Sequence, residues 1–296
     1  MSTLSKQAKA KIVAMYALTA QAYGGVPGEM YAATPTAAQT LNDKIIQDGN
    51  PFLGLINTVP VSEISGEKVL MGLSGSVSSR TDTSGSNERV AKQLVDLNAE
   101  PYTLKQTNSD VGIRYATIDA WAKFTNFREH YQMHIRMAIG NDRLKVGWLG
   151  TSALADTVAA DLSDVNIGWL EQIRVYNAGA QYVLGAAGSV TLGGNFANLD
   201  LLVHDALGRI EIQHRDDPDL VVLIGRNVFE AAKGSYFEAN GNLPTEKQRI
   251  NDTQTANVYG GLVSYVPPFF PADSILITSL SNLSIYYQDS SWRRQQ

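Results

Sequence analysis

The sequence predicts an α+β chain, with strands and helices in separate blocks, and three observations carry that reading. Residues 68–115 contain two strand-forming runs, at 69–80 and 99–115, joined by a long polar tip at 81–98. Ile118, Trp121, Phe124, Phe127, Tyr131, Ile135 and Ile139 recur at spacings of three and four, which places them on one face of a helix. LVVLIG at 220–225 is a short unbroken apolar run, the pattern of a strand buried on both faces. These elements do not alternate as a regular βαβ repeat would require.

In chain order, residues 4–22 have helix-forming composition, and Gly24, Gly25, Pro27 and Gly28 break it, so a detachable helix and a linker are expected. Its basic residues and small-residue end give the outline of a signal peptide. The stretch is rich in alanine rather than leucine and holds Thr19 and Gln21, which favours an amphipathic helix. A short helix is predicted over 36–47, stopped by Asn50-Pro51, after which FLGLINTVPV resumes an extended path.

The hairpin follows. Val69, Met71 and Leu73 alternate as in a strand, but beyond Gly75 the residues are too polar to cover a core. A hairpin standing alone in water is only marginally stable, so a surface on another subunit is expected beneath it. The helix over 117–149 would be roughly 50 Å long at 1.5 Å per residue, with Gly140-Asn141 as a cap or kink. Residues 178–198 read as loop and short strand, 199–212 as helix and 227–238 as a helix after the buried strand. The last third alternates strand-like runs with Pro and Gly.

Composition narrows the function classes. Asp, Glu, Lys and Arg make up 18% of the 296 residues, against roughly 25% in an average soluble domain. Interface cores are depleted in charge, so neighbours are expected to cover much of the surface. The net charge of −5 is opposite to the footprint of a dedicated nucleic-acid binder. Without cysteine, the chain has no disulfide, thiolate nucleophile or Cys-based metal site. Its apolar runs fall far short of the roughly 20 residues that cross a bilayer.

No motif for enzymatic chemistry is complete. His130 and His134 share a helix face, but two imidazoles are half a metal site, and EHYQMH lacks the glutamate of H-E-x-x-H. Gly225 and Arg226 after LVVLI lack the G-x-G-x-x-G spacing, and LGAAGS at 184–189 lacks the Lys-Ser or Lys-Thr of a P-loop. Asp216, Asp217 and Asp219 read as a solvated turn, because no twelve-residue calcium loop follows. No cofactor and no metal is expected. Arg80, Asp82, Glu88 and Arg89 gather at the distal end of the hairpin, where they suit contacts with a neighbouring subunit.

The run NTVPVSEISGEKVLMGLSGSVSSRTDTSGSNER at 57–89 resembles the major capsid proteins of peduovirus-type tailed bacteriophages. The likeness continues in order through IRYATIDAWAKF (113–124), NIGWL (166–170), DDPDLVVLIGR (216–226) and PPFFPADSILITSLSNLSIYYQDSSWRR (267–294). This resemblance implies the Hong Kong 97-type capsid fold. Its parts would be a cleavable scaffold-like segment (1–31), an N-arm (32–61), an extension loop (62–114), a peripheral domain with the spine helix (115–199 and 271–296) and an axial domain (200–270). It also implies removal of the first segment at a junction near Tyr31-Ala32, where the glycine-rich linker offers a protease flexible backbone.

The function so implied is a major capsid protein that assembles into hexamers and pentamers of an icosahedral head around double-stranded DNA. The chain would sit in the virion after assembly in host cytoplasm. Its partners would be its own copies, a scaffolding protein, a maturation protease and a portal, with DNA touched non-specifically and no membrane involved. Members of the family continue for several dozen residues beyond a stretch like IYYQDSSWRR, so a strand completing the peripheral sheet is expected to be missing or supplied differently. The alternative from the residues alone is a soluble α+β enzyme or binding domain using His214, Asp216 and Asp219.

Overall fold

The structure, a computed structural model, describes residues 6–22, 24–26, 31–73, 78–82, 84, 88–90, 95–121, 126–182, 196, 198–240 and 258–294. Helix α1 (Lys6–Ala22) packs Ala8 and Ile12 against Ile113 and Ile118. A two-residue strand β1 (Tyr31–Ala32) leads to α2 (Pro35–Asp48), which starts where Thr34 caps the Ala37 N–H and Pro35 supplies the first helical residue. Asn50 then caps a turn of 3₁₀ helix over Pro51–Leu55, where an extended path was expected. The reason is local: Asn50 accepts from the Phe52 N–H at 3.0 Å, and Pro51 has the φ such a turn needs. The turn buries Phe52 and Leu53, and Ile56 follows them inward.

Strand β2 (Asn57–Val61) is followed by β3 (Ser65–Leu73) and β4 (Val95–Thr103), which pair antiparallel from Ser65↔Thr103 to Leu73↔Val95. The hairpin is therefore real, with its bounds corrected: β3 starts earlier, at Ser65, VDLN at 95–98 belongs to the returning strand rather than to the tip, and residues 78–80 and 104–114 lie outside the strands. The expected long helix is seen as α3 (Tyr115–Trp121) and α4 (Phe127–Leu149) on either side of residues outside the description. Gly140 neither caps nor kinks α4. It is buried, and a Cβ there would lie 3.0 Å from Leu53 Cδ1 and 3.3 Å from Gly49 Cα, so its missing side chain lets the end of α2 approach.

Beyond α5 (Trp169–Val175), the expected loop and strand of 178–198 lie mostly outside the described residues. The helix expected over 199–212 divides into α6 (Leu199–Leu207) and α7 (Ile212–Arg215). Strand β5 (Leu220–Ile224) is buried at every residue, as its run of apolar side chains requires, and α8 (Arg226–Asn240) follows directly. The remaining strands are β6 (Val258–Tyr259), β7 (Leu262–Tyr265), β8 (Ile275–Ser279), β9 (Ser284–Gln288) and β10 (Arg293–Arg294).

The largest sheet has the order β6-β7-β5-β8, with β5 parallel to β7 and antiparallel to β8. Because side chains alternate, β5 serves two cores. Val221 and Leu223 join Phe52, Leu53, Leu144, Trp148, Phe270 and Leu283, whereas Val222 and Ile224 join Leu199, Leu202, Val203 and Val228. β8 pairs with β5, so a boundary at 270/271 crosses a sheet in this chain. β2 pairs in parallel with β9, and β1 pairs antiparallel with β10, so residues 32–61 form part of the folded body.

Candidate assembly interface

The hairpin is held at its base. The Leu104 N–H donates to Ile64 O at 2.8 Å, and the Tyr102 ring stacks on Tyr286 of β9 with centroids 5.0 Å apart and planes 5° from parallel. Gly66 makes room for that ring, since a Cβ there would fall 2.7 Å from the Tyr102 hydroxyl. Beside it, Gln288 Nε2 donates to Ser62 O at 2.8 Å. The Leu104–Ile64 bond extends the hairpin's own ladder, the Tyr102–Tyr286 stack ties the base to β9, and the Gln288 side chain ties β9 to the segment that links β2 and β3. Adjacent residues of a strand face opposite ways, so Tyr286 can meet the hairpin while Tyr287 turns inward and is 8% exposed. The Tyr-Tyr doublet is the sequence signal that carried this anchor, and sequence reasoning passed over it.

At the other end Arg80, Asp82, Glu88 and Arg89 are all exposed. Asp82 Oδ1 accepts from Ser84 Oγ at 2.6 Å and from the Ser84 N–H at 2.9 Å, and these two bonds hold its carboxyl below the usual range. Among the described residues Arg80, Glu88 and Arg89 form no ion pair. The hairpin thus combines a pinned base with four exposed charged residues at its tip.

A second feature fixes the body beneath. Arg136 Nε meets Asp48 Oδ2 at 2.5 Å, and Arg143 Nη1 donates to Asn42 Oδ1 at 2.6 Å, joining α4 to α2. Arg143 also lies over the Trp292 ring, 5.7 Å from its centroid. Burial pulls the Arg143 guanidinium down to about 10, with Tyr287 acting the other way. It stays charged at neutral pH, and its hydrogen bond to Asn42 and contact with Trp292 offset part of the lost hydration.

The remaining candidates stand apart. Tyr31 and Ala32 form β1, paired with Arg294 and Arg293. His130 and His134 are exposed on α4, His214 is exposed on α7, and Asp216, Asp217 and Asp219 are exposed on the turn before β5, where Asp217 Oδ1 accepts from the Asp219 N–H at 2.9 Å. No group of three His, Cys, Asp or Glu that could hold a metal occurs among the described residues. Gly225 is packed rather than open: its N–H donates to Ser274 O at 2.8 Å, and a Cβ would fall 2.3 Å from Ala272 O. The 184–189 segment lies outside the described residues. No described helix is long and apolar enough to cross a membrane.

Residues 7–296 match the family model described as phage major capsid protein, P2 family. The chain is 36% identical over 295 residues to the capsid proteins of Escherichia phage P2, covering 91% of this chain and 79% of that one. It is 29% identical to the major capsid protein of Serratia phage KSP20, covering 89% and 79% respectively. Among solved structures it is similar to a chain of the satellite phage P4 procapsid that includes size determination protein, with a TM-score of 0.70, 32% identity, and coverage of 97% of this chain and 86% of that chain. The mixed helix-and-strand architecture, the hairpin pinned to its body and these matches agree, and the chain belongs to the P2 family of phage major capsid proteins.

Proposed function

We propose that this capsid-forming chain closes into hexameric and pentameric rings of an icosahedral head around double-stranded DNA, with the β3–β4 hairpin laid across a neighbouring subunit. The observation that carries this reading is the hairpin itself, tied at its base by the Tyr102–Tyr286 stack and exposed at Arg80, Asp82, Glu88 and Arg89. An exposed ion pair is worth only about 0.2 to 1 kcal/mol. Every subunit of a closed shell repeats the contact, so the small terms accumulate.

On this reading residues 62–114 are the extension loop, 32–61 the N-arm, 200–270 the axial domain, and 115–199 with 271–296 the peripheral domain. Residues 1–31 engage a scaffolding protein and are removed between Tyr31 and Ala32 by a maturation protease, assembly takes place in host cytoplasm, and a portal completes the head. DNA is touched non-specifically, in keeping with a net charge of −5. Membership of a structural family sets aside the reading of His214, Asp216 and Asp219 as an enzyme site.

The test replaces residues 80–89 with a short Gly-Ser turn and co-expresses the variant with its scaffold. Circular dichroism should stay near that of the parent while electron micrographs show shells lost or fragile. Heads as stable as the parent's would refute the stapling role, and a chain unable to fold would make the hairpin part of the core.

A further inference from the structure

The Tyr31–Ala32 bond lies inside a β-ladder with residues more than two hundred positions further along the chain, Tyr31 opposite Arg294 and Ala32 opposite Arg293. The next residue extends the same ladder, the Ala33 N–H donating to Trp292 O at 2.8 Å. In an antiparallel pair the hydrogen-bonded positions alternate. With Ala33 and Trp292 one such position, the next is Tyr31 with Arg294, and the alternation assigns the Tyr31 carbonyl to the Arg294 N–H. That carbonyl is the one a protease must polarise and attack to cut after Tyr31.

The residue before the strand that covers it is held by its ring. Trp292 sits edge-on to Tyr287 at 6.2 Å between centroids, and Arg143 of α4 lies over the Trp292 ring. Arg143 is itself bonded to Asn42 of α2, so the residue preceding β10 is fastened to α4 and through it to α2. We propose that β10 is a latch over the Tyr31–Ala32 bond: the bond is shielded while β10 stays paired, and proteolysis there requires β10 to lift off. Two paired residues make a weak ladder, so the latch is one that a modest rearrangement releases. The shielding stands on the pairing geometry alone, and it rests on the processing reading above only for the claim that this bond is the one cut in a head.

Chymotrypsin tests it directly, because its apolar specificity slot accepts the Tyr31 side chain. The full chain is digested under native conditions, and release of residues 32–296 is followed by mass spectrometry for the wild type, Arg294→Ala, Arg294→Pro and Trp292→Ala. Proline removes the N–H that covers the carbonyl, whereas alanine keeps it. Cutting after Tyr31 should be slow in the wild type and in Arg294→Ala, and about 10-fold faster or more in Arg294→Pro and Trp292→Ala. Hydrogen exchange of the Ala33 amide in the unaltered protein is the second measurement and needs no variant to fold; protection is expected. A wild-type cutting rate equal to that of Arg294→Pro, or an Ala33 amide exchanging at the unprotected rate, overturns the latch. Intact mass of mature heads reports separately on whether this bond is the physiological one.

Discussion

Asp164 is a polar residue that only the three-dimensional structure gives meaning. It is 6% exposed in the loop after α4, and its Oδ2 accepts from the Val158 N–H at 2.7 Å and the Ala159 N–H at 2.9 Å. Those bonds, led by Ala159, hold the carboxyl below the usual range. The sign follows from linkage. A carboxyl whose folded pKa lies below its unfolded value of about 3.9 stabilises the fold at pH above that value and loses the contribution as pH falls through the folded pKa. Asp164→Asn should therefore be less stable than the parent near neutrality, and the gap in urea midpoints should close as pH is lowered from 6 towards 3. A gap that is constant over that range would refute the role. In the sequence Asp164 is one of several Asp residues in ADTVAADLSD, and nothing there separates it from solvated neighbours such as Asp156 and Asp161.

Helix α4 shows what periodicity can and cannot reveal about an element. Spacings of three and four announced the helix, because that pattern needs only local geometry, but the residues α4 buries are Gly140, Leu144 and Trp148, outside the series read from the sequence, and Trp121 of that series is exposed. The role of its glycines depends on what packs opposite, and no local pattern encodes that. Gly140 lets α2 approach, and Gly147 faces Trp169, where a Cβ would fall 2.3 Å from ring carbon Cζ3. The ring is also tied through its Nε1, which donates to Ser284 O at 3.0 Å. Alanine gains about 1 kcal/mol over glycine in a helix interior, but overpacking costs about 1 to 3 kcal/mol. Gly147→Ala should consequently lower stability by up to about 2 kcal/mol in denaturant titration, and a variant more stable than the parent would mean that the ring swings aside. β5 was legible for the opposite reason: burial on both faces leaves an unbroken apolar run in the sequence itself. The pairing of β2 with β9 was not legible, since the partners of NTVPV lie in SIYYQ and register across such a distance has no sequence mark.

For the whole molecule, the resemblance carried further than any residue pattern, and the family assignment bears it out while the processing step stays a proposal to be measured. If residues 1–31 are removed at the proposed junction, intact-mass spectrometry of mature heads should find chains beginning at Ala32, and chains retaining the first 31 residues would sink the idea. The β2–β9 pair has a further consequence, for synthesis. Asn57 of β2 donates through its Nδ2 to Ser281 O, 224 residues later in the chain, and the whole parallel register lies at similar separation. A ribosome adding 5 to 20 residues per second needs on the order of 10 to 45 s to cover that distance. Throughout that interval Asn57–Val61 lacks its partner strand, and Phe52, Leu53 and Ile56 lack Phe270 and Leu283, which complete their core. The emerging chain therefore carries an open strand edge and a sticky apolar cluster until Ser284–Gln288 has been made, which makes this arm a segment of the newborn subunit that chaperones are expected to protect.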